Sequence, residues 1–204
     1  ALATSAGAAL GLVDDLAEQP EGARKGLRGH LRALARGEVT TGSLKLLGIG
    51  AGAFAAALVG TRRTGSLGGW AADVAINSAL VASSANLVNL LDLRPGRALK
   101  ATIAGAGLAG LAGAAPGAAG VVVGAAGAAL EGDLAERDML GDCGANSLGA
   151  ATGAVVAFGA PRLARCAVLA GTVALNLVSE RISFTEVIAR TRVLRDLDEL
   201  GRRG

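Results

Sequence analysis

Residues 143–161 read CGANSLGAATGAVVAFGAP, and no side chain in that run is charged. A helix in water keeps a polar face, so charge returns every turn or so. Here it stays away for about five turns. Residues 101–130 and 166–179 are equally free of charge, and residues 46–91 carry only Arg62, Arg63 and Asp73. Charge-free apolar runs approaching the length of a bilayer crossing read as membrane-spanning helices. The expected fold class is therefore all-α: a polytopic membrane helix bundle with six complete spans, about 46–61, 68–91, 98–114, 117–131, 144–160 and 162–178. A seventh, partial span occupies residues 1–13. The 98–131 pair forms a hairpin turned at Ala115-Pro116-Gly117, with arms short for a span; a buried or tilted helix pair is the alternative.

Composition points the same way. Of 204 residues 51% are hydrophobic, 18% are charged and 2% are aromatic; 32 are glycine, and alanine is commoner still. Glycine follows no three-residue period, which excludes collagen. A net charge of +3 on so apolar a chain excludes disorder, and two cysteines exclude a disulfide scaffold. The chain opens with Ala1 inside an apolar segment and no basic stretch precedes it, so a signal peptide is not indicated and an upstream segment is expected.

Lysine and arginine set the expected sidedness. If the spans alternate, segments 14–45, 92–100, 131–142 and 179–204 share one face and carry 16 of the 20 basic residues. Arg62, Arg63, Arg162 and Arg165 lie on the other. The basic face is assigned to the cytoplasm. The expected division is a transmembrane bundle over residues 1–182, with cytoplasmic loops 14–45, 92–100 and 131–142, and an amphipathic cytoplasmic tail over 183–204. Cys143 and Cys166 fall toward opposite faces, so no disulfide is expected. Asp73, close to the interface anchor Trp70, is placed at the outer surface.

Three acidic motifs stand at cytoplasmic span ends: Gly11-Leu12-Val13-Asp14-Asp15, then Asn86-Leu87-Val88-Asn89-Leu90-Leu91-Asp92, then Met139-Leu140-Gly141-Asp142-Cys143-Gly144-Ala145-Asn146. The three-residue recurrence of Asn86, Asn89 and Asp92 puts them near one helix face. The glycines beside Asp142 allow a tight turn, and a helix starting there presents its N-terminus to a phosphate. The distribution of basic residues alone, without reference to these motifs, places all three on one face. Carboxylates beside basic residues suit Mg²⁺ and a polyphosphate. The plainer alternatives are a solvated helix end for Asp14 and Asp15, a turn for Asp142, and interhelical hydrogen bonds for Asn86 and Asn89. Residues 24–45 carry an apolar stripe of Leu27, Leu31 and Leu34, with Arg28, Arg32 and Arg36 on another face, the pattern of a surface helix. The single histidine, His30, is not expected to be a ligand. Ser183-Phe184-Thr185-Glu186 matches a capping box opening an amphipathic helix over 183–200.

In this order and spacing, the Gly-x-x-Asp-Asp, Asn-x-x-Asn-x-x-Asp and Met-x-Gly-Asp-x-Gly motifs resemble the polyprenyl-phosphate N-acetylhexosamine-1-phosphate transferase superfamily (glycosyltransferase family 4), which includes the phospho-N-acetylmuramoyl-pentapeptide transferases. The resemblance covers nearly the whole chain. It implies a multi-pass enzyme of the bacterial plasma membrane that uses Mg²⁺ to move a sugar-1-phosphate from a UDP-sugar to a polyprenyl phosphate, releasing UMP. By motif position, Asp142 and Asp15 correspond to metal-placing residues. Asp14 and Asp15 correspond to the pair that activates the lipid phosphate. Asn86, Asn89 and Asp92 fall at the nucleotide-sugar site, and Lys45 resembles a phosphate-contacting lysine. Membrane lipids and a homodimer join the expected partners; nucleic acid does not. The chain departs from the family pattern at Leu16, where a lysine often follows the paired aspartates, after Asp92, and at Ser179–Ser183, where the muramoyl-pentapeptide enzymes carry histidines. These departures separate it from those enzymes and leave the donor sugar open. The other classes in play are a non-catalytic relative that binds polyprenyl phosphate or wall-synthesis partners, and a small-solute transporter or scaffold.

Overall fold

The computed structural model describes residues 2–16, 36 and 41–202, without the side chains of residue 10, 13–16 and 41–46. The basic stripe of 24–45 and His30 lie outside the described residues, Arg36 and the start of the second helix excepted. Among the described residues nine helices follow in order: α1 Leu2–Leu16, α2 Thr41–Gly60, α3 Leu67–Leu91, α4 Arg97–Leu111, α5 Pro116–Leu134, α6 Gly141–Gly159, α7 Arg162–Ser179, α8 Phe184–Arg190 and α9 Arg192–Glu199. Among the described residues there is no strand. The long helices fall on the apolar runs to within a few residues. Three of them, α3, α5 and α7, are long and apolar enough to cross a membrane.

Local chemistry sets the boundaries. Ser66 caps α3 by accepting from the Gly69 amide at 3.1 Å. Pro116 fits the first position of α5, where a missing N–H leaves nothing unpaired, and Ala115 takes a left-handed conformation to turn the α4–α5 hairpin. Gly141 has φ +63, a conformation that favours glycine, at the start of α6.

Helix α6 is the hub. It packs along α1 and α3 and also touches α4, α5 and α7. Contact with α3 is close because α6 presents glycine there. A Cβ on Gly149 would lie 2.6 Å from the Ser84 carbonyl oxygen, and one on Gly153 would lie 2.9 Å from the Val81 Cα. On the other flank, α1 brings Gly7 and Gly11 against Asn146 and Asp142, where a side chain at Gly11 would collide with the Asp142 carbonyl. These are the small-residue contacts that let apolar helices gain dispersion energy without a solvent-driven core. Around them, Leu80, Val81 and Ala85 of α3 pack with Ala150, Val156 and Ala157 of α6 and with Ala53 of α2. The hairpin joins through Ala106, Ala119, Val122 and Val155.

Helix α7 turns Thr172 and Asn176 inward and most of its apolar residues outward. Its buried residue is Asn176, while Leu163, Val168, Val173, Leu175, Leu177 and Val178 are exposed. Asn176 accepts from Asn86 and donates to the Ser83 carbonyl at 3.0 Å, and the Ser83 and Thr172 hydroxyls meet at 2.8 Å. An apolar exterior over a hydrogen-bonded polar seam suits a lipid surround.

The tail differs from the single helix expected over 183–200. Ser183 does cap its start, accepting from the Glu186 amide at 3.4 Å. The chain then bends at Thr191, whose φ of −100 and ψ of 109 are extended, so α8 and α9 are separate. The bend lets α9 deliver Asp198 to the first residue of α4.

Because the α3–α6 approach is backbone against backbone, Gly149→Val is expected to destabilise the bundle by more than the roughly 1–3 kcal/mol of ordinary overpacking. A thermal-unfolding midpoint in detergent checks this; Gly171→Val, where no atom of the described residues lies within 4 Å of the new Cβ, should leave it unchanged.

Candidate functional site at the motif end of the bundle

All three motifs lie at the same end of the bundle. Antiparallel packing of α1 and α3 against α6 puts the C-terminal ends of α1 and α3 beside the N-terminus of α6. Asp14 and Asp15 lie within α1, one turn beyond the Gly11–Asp142 contact, and their side chains are outside the described residues. Lys45 lies in the first turns of α2, with its side chain also outside them. Asp142 sits in the first turn of α6, half-buried, where the helix dipole favours its charge.

Asn146, 1% exposed, links the second and third motifs. Its Nδ2 donates to the Asp142 carbonyl at 2.7 Å and approaches Asn89 Oδ1 at 3.4 Å. Its Oδ1 is buried without a hydrogen-bond partner among the described residues. Asn89 and Asp92 are half-buried at the end of α3. Asn86 faces away from this group, toward α7, where it donates an interhelical hydrogen bond to Asn176.

Two further residues hold the end together, and neither belonged to a motif. Asp133, 7% exposed, accepts from the Gly96 amide through Oδ2 and from the Leu140 amide at 3.2 Å through Oδ1. It thereby ties the loop after Asp92 to the loop before Asp142. Arg97, 5% exposed, donates to both oxygens of Asp198, at 2.7 and 2.9 Å, and to the Thr185 hydroxyl at 3.1 Å. Lys100 adds bonds to the Leu197 and Asp198 carbonyls. In the sequence Asp133 is only an acid between Gly132 and Leu134, and Arg97 only one more basic residue of its segment; their partners Gly96 and Asp198 lie 37 and 101 positions away.

A groove of about 600 Å³ opens beside the motifs, lined by Asp92, Arg94, Asp133, Glu136, Asp138 and Met139 among others. Its acids outnumber its single arginine, so an anionic ligand enters it favourably only with a cation. Among the described residues, no group of three or more His, Cys, Asp or Glu is arranged to hold a metal ion.

Compared with known proteins, the chain matches no family model, no curated protein and no solved structure. The fold and the clustered polar end therefore define it only as an all-helical protein with helices capable of crossing a membrane.

The hydrogen bonds from Arg97 hold the Asp198 carboxyl below the usual carboxylate range, against desolvation that pushes it up; the charges of Arg97, Arg202 and Lys100 lower it further. A lowered native value stabilises docking above the unfolded value of about 4, and this stabilisation is lost as the pH falls through the native one. Protease protection of residues 183–202 is accordingly expected to be constant from neutral pH down to about pH 4 and to fail below it. Asp198→Asn should expose the tail at neutral pH, because removing one partner of a buried ion pair costs about 3–5 kcal/mol.

Proposed function

We propose that this chain is a membrane-embedded glycosyl-1-phosphate transferase of the polyprenyl-phosphate type, acting in bacterial cell-wall or surface-glycan synthesis. In this reading it is a bundle of six or seven transmembrane helices in the plasma membrane, with the motif end in the cytoplasm. An oxygen of polyprenyl phosphate attacks the sugar-bound phosphorus of a UDP-sugar, the phosphorus–oxygen bond to UMP breaks, and UMP leaves. The observation that carries the reading is the convergence of the three acidic motifs through the glycine contacts of α6, beside an open groove.

The residues fit Mg²⁺ in the way that ion is usually held, by one or two carboxylates with water and substrate phosphate completing the shell. Asp142 and Asp15 would hold it, from helices whose backbones meet at Gly11; one turn along α6 from Asp142, the orphaned Asn146 Oδ1 is a further hard oxygen. Bound there, the ion would offset the repulsion between the two anionic substrates. Asp14 and Asp15 hold and deprotonate the lipid phosphate, and Lys45 contacts phosphate oxygens. Asn89 and Asp92 orient the nucleotide-sugar, while Asn86 fixes α3 against α7.

The test is UMP release by the purified chain with polyprenyl phosphate, Mg²⁺ and a panel of UDP-sugars. Release from one donor, abolished by a chelator and lowered at least about 100-fold by Asp142→Asn, is the expected outcome. Polyprenyl-phosphate binding without release from any donor would favour the non-catalytic relative to which Leu16 and the histidine-free 179–183 segment point.

A further inference from the structure

The opposite end of the bundle holds a second polar cavity that the transferase reading does not use. It measures about 370 Å³ and is lined by Thr61, Arg62, Asp73, Asn77, Phe158 and Arg165 among others. Asp73 lies about 28 Å along α3 from Asp92, close to the thickness of a bilayer core. Arg162 and Arg165 reach it from the first turn of α7.

The state of Arg165 is informative when set beside that of Arg97. Both are largely shielded from solvent, with side chains 14% and 6% exposed. Arg97 engages both carboxylate oxygens of its partner at charge-assisted distances and a hydroxyl besides, so its fork is filled. Arg165 makes one bond of ordinary length, from Nη1 to Asn77 Oδ1 at 2.9 Å. Among the described residues its buried Nε has no hydrogen-bond partner, and Asp73 Oδ1, 3.4 Å from Nη2, has none either. The same Asp73 oxygen faces Arg162 Nε at 3.3 Å. One carboxylate is shared loosely between two guanidinium groups, and Arg62 adds a third positive charge to the cavity wall. Asn77, 1% exposed and donating to the Thr61 hydroxyl at 2.9 Å, fixes the floor. α7 begins here with no side-chain cap and no acid in its first turn, so its free amides add to the positive field.

A half-buried arginine with its Nε donor unfilled, in a cavity of net positive charge, lacks an anion of matching geometry. A phosphate group supplies planar pairs of acceptor oxygens for such a fork. The cavity has room for more than phosphate alone; Phe158 of its wall is exposed, and so are Val59 and Leu163, the chain neighbours of Gly60 and Arg162. We propose that this end of the bundle binds a phosphate-bearing anion through Arg165 and Arg162, the group being either a lipid headgroup or a soluble phosphate compound. The site stands apart from the transferase reading and does not depend on it.

Trp70 is the single tryptophan, and its indole donates to the Thr61 carbonyl at 3.2 Å beneath Arg63, which lies 5.6 Å from the ring. It is a built-in reporter. The full chain in nanodiscs is titrated with brominated phosphatidylglycerol or brominated phosphatidylcholine, and separately with inorganic phosphate or glycerol 1-phosphate, following Trp70 fluorescence. Quenching at about tenfold lower mole fraction of the anionic lipid identifies a headgroup; a saturable response to the soluble phosphates identifies a free ligand. Arg165→Lys keeps the charge and loses the fork, so it should lose that preference, whereas Asp73→Asn releases both arginines and should strengthen it. Helical content by circular dichroism separates loss of binding from loss of fold. Equal responses to both lipids with none to phosphate, or a preference that survives Arg165→Lys in a folded protein, would overturn the site and show general surface charge instead.

Discussion

The close approach of α6 to α1 and α3 is the constraint from which the rest of the bundle follows. Where Gly149 and Gly153 meet Ser84 and Val81, the two helices touch through backbone atoms. Any side chain there would push α3 outward and carry Asn89 and Asp92 with it. The same holds on the α1 side, where Gly7 and Gly11 fix how near the α1 terminus comes to Asp142. The glycine and alanine excess is thus structural in a specific sense. It sets interhelical distances, and through them the spacing of residues that are remote in sequence.

Packing of that kind has little directional preference, and the buried amides and hydroxyls supply it. Asn176 and Asn86, Ser83 and Thr172, and Asn146 and Asn89 each join two helices at one register. In an apolar surround, a slip of one residue would leave these groups unpaired, which costs more than the contacts it would exchange. Small residues therefore determine how near the helices come, and polar residues determine which rotation about each axis is kept.

Much of this was legible in the sequence, for a physical reason. Charge-free runs encode helix positions directly, so α2 to α7 lie on them. The motifs were legible because a carboxylate or amide at the end of an apolar run stands out against its neighbours, as Asp142 and Asn89 do. What stayed hidden was pairing. Asp133 reads as an ordinary loop acid, and only the fold shows it accepting from Gly96 and Leu140. Arg97 reads as one more cytoplasmic arginine, yet it is buried against Asp198. Asp73 reads as a lone interfacial acid because its partners, Arg162 and Arg165, come from another helix. The bend at Thr191 was equally hidden, since the apolar stripe runs straight through it and docking, not local propensity, determines where the helix stops.

Gly96 and Arg97 are consecutive, and they join two systems that the sequence keeps apart. The Gly96 amide is held by Asp133, which also holds Leu140 just ahead of Asp142. The Arg97 side chain is held by Asp198 of the tail. With the tail in place, Arg97 is neutralised and the start of α4 can stay buried. With the tail withdrawn, a guanidinium shielded from water would lose its carboxylate, and the start of α4 would shift to hydrate it. That shift would move Gly96, strain its bond to Asp133, and reach the loop that positions Asp142. The tail is therefore mechanically part of the motif end, although it contributes none of the motif residues.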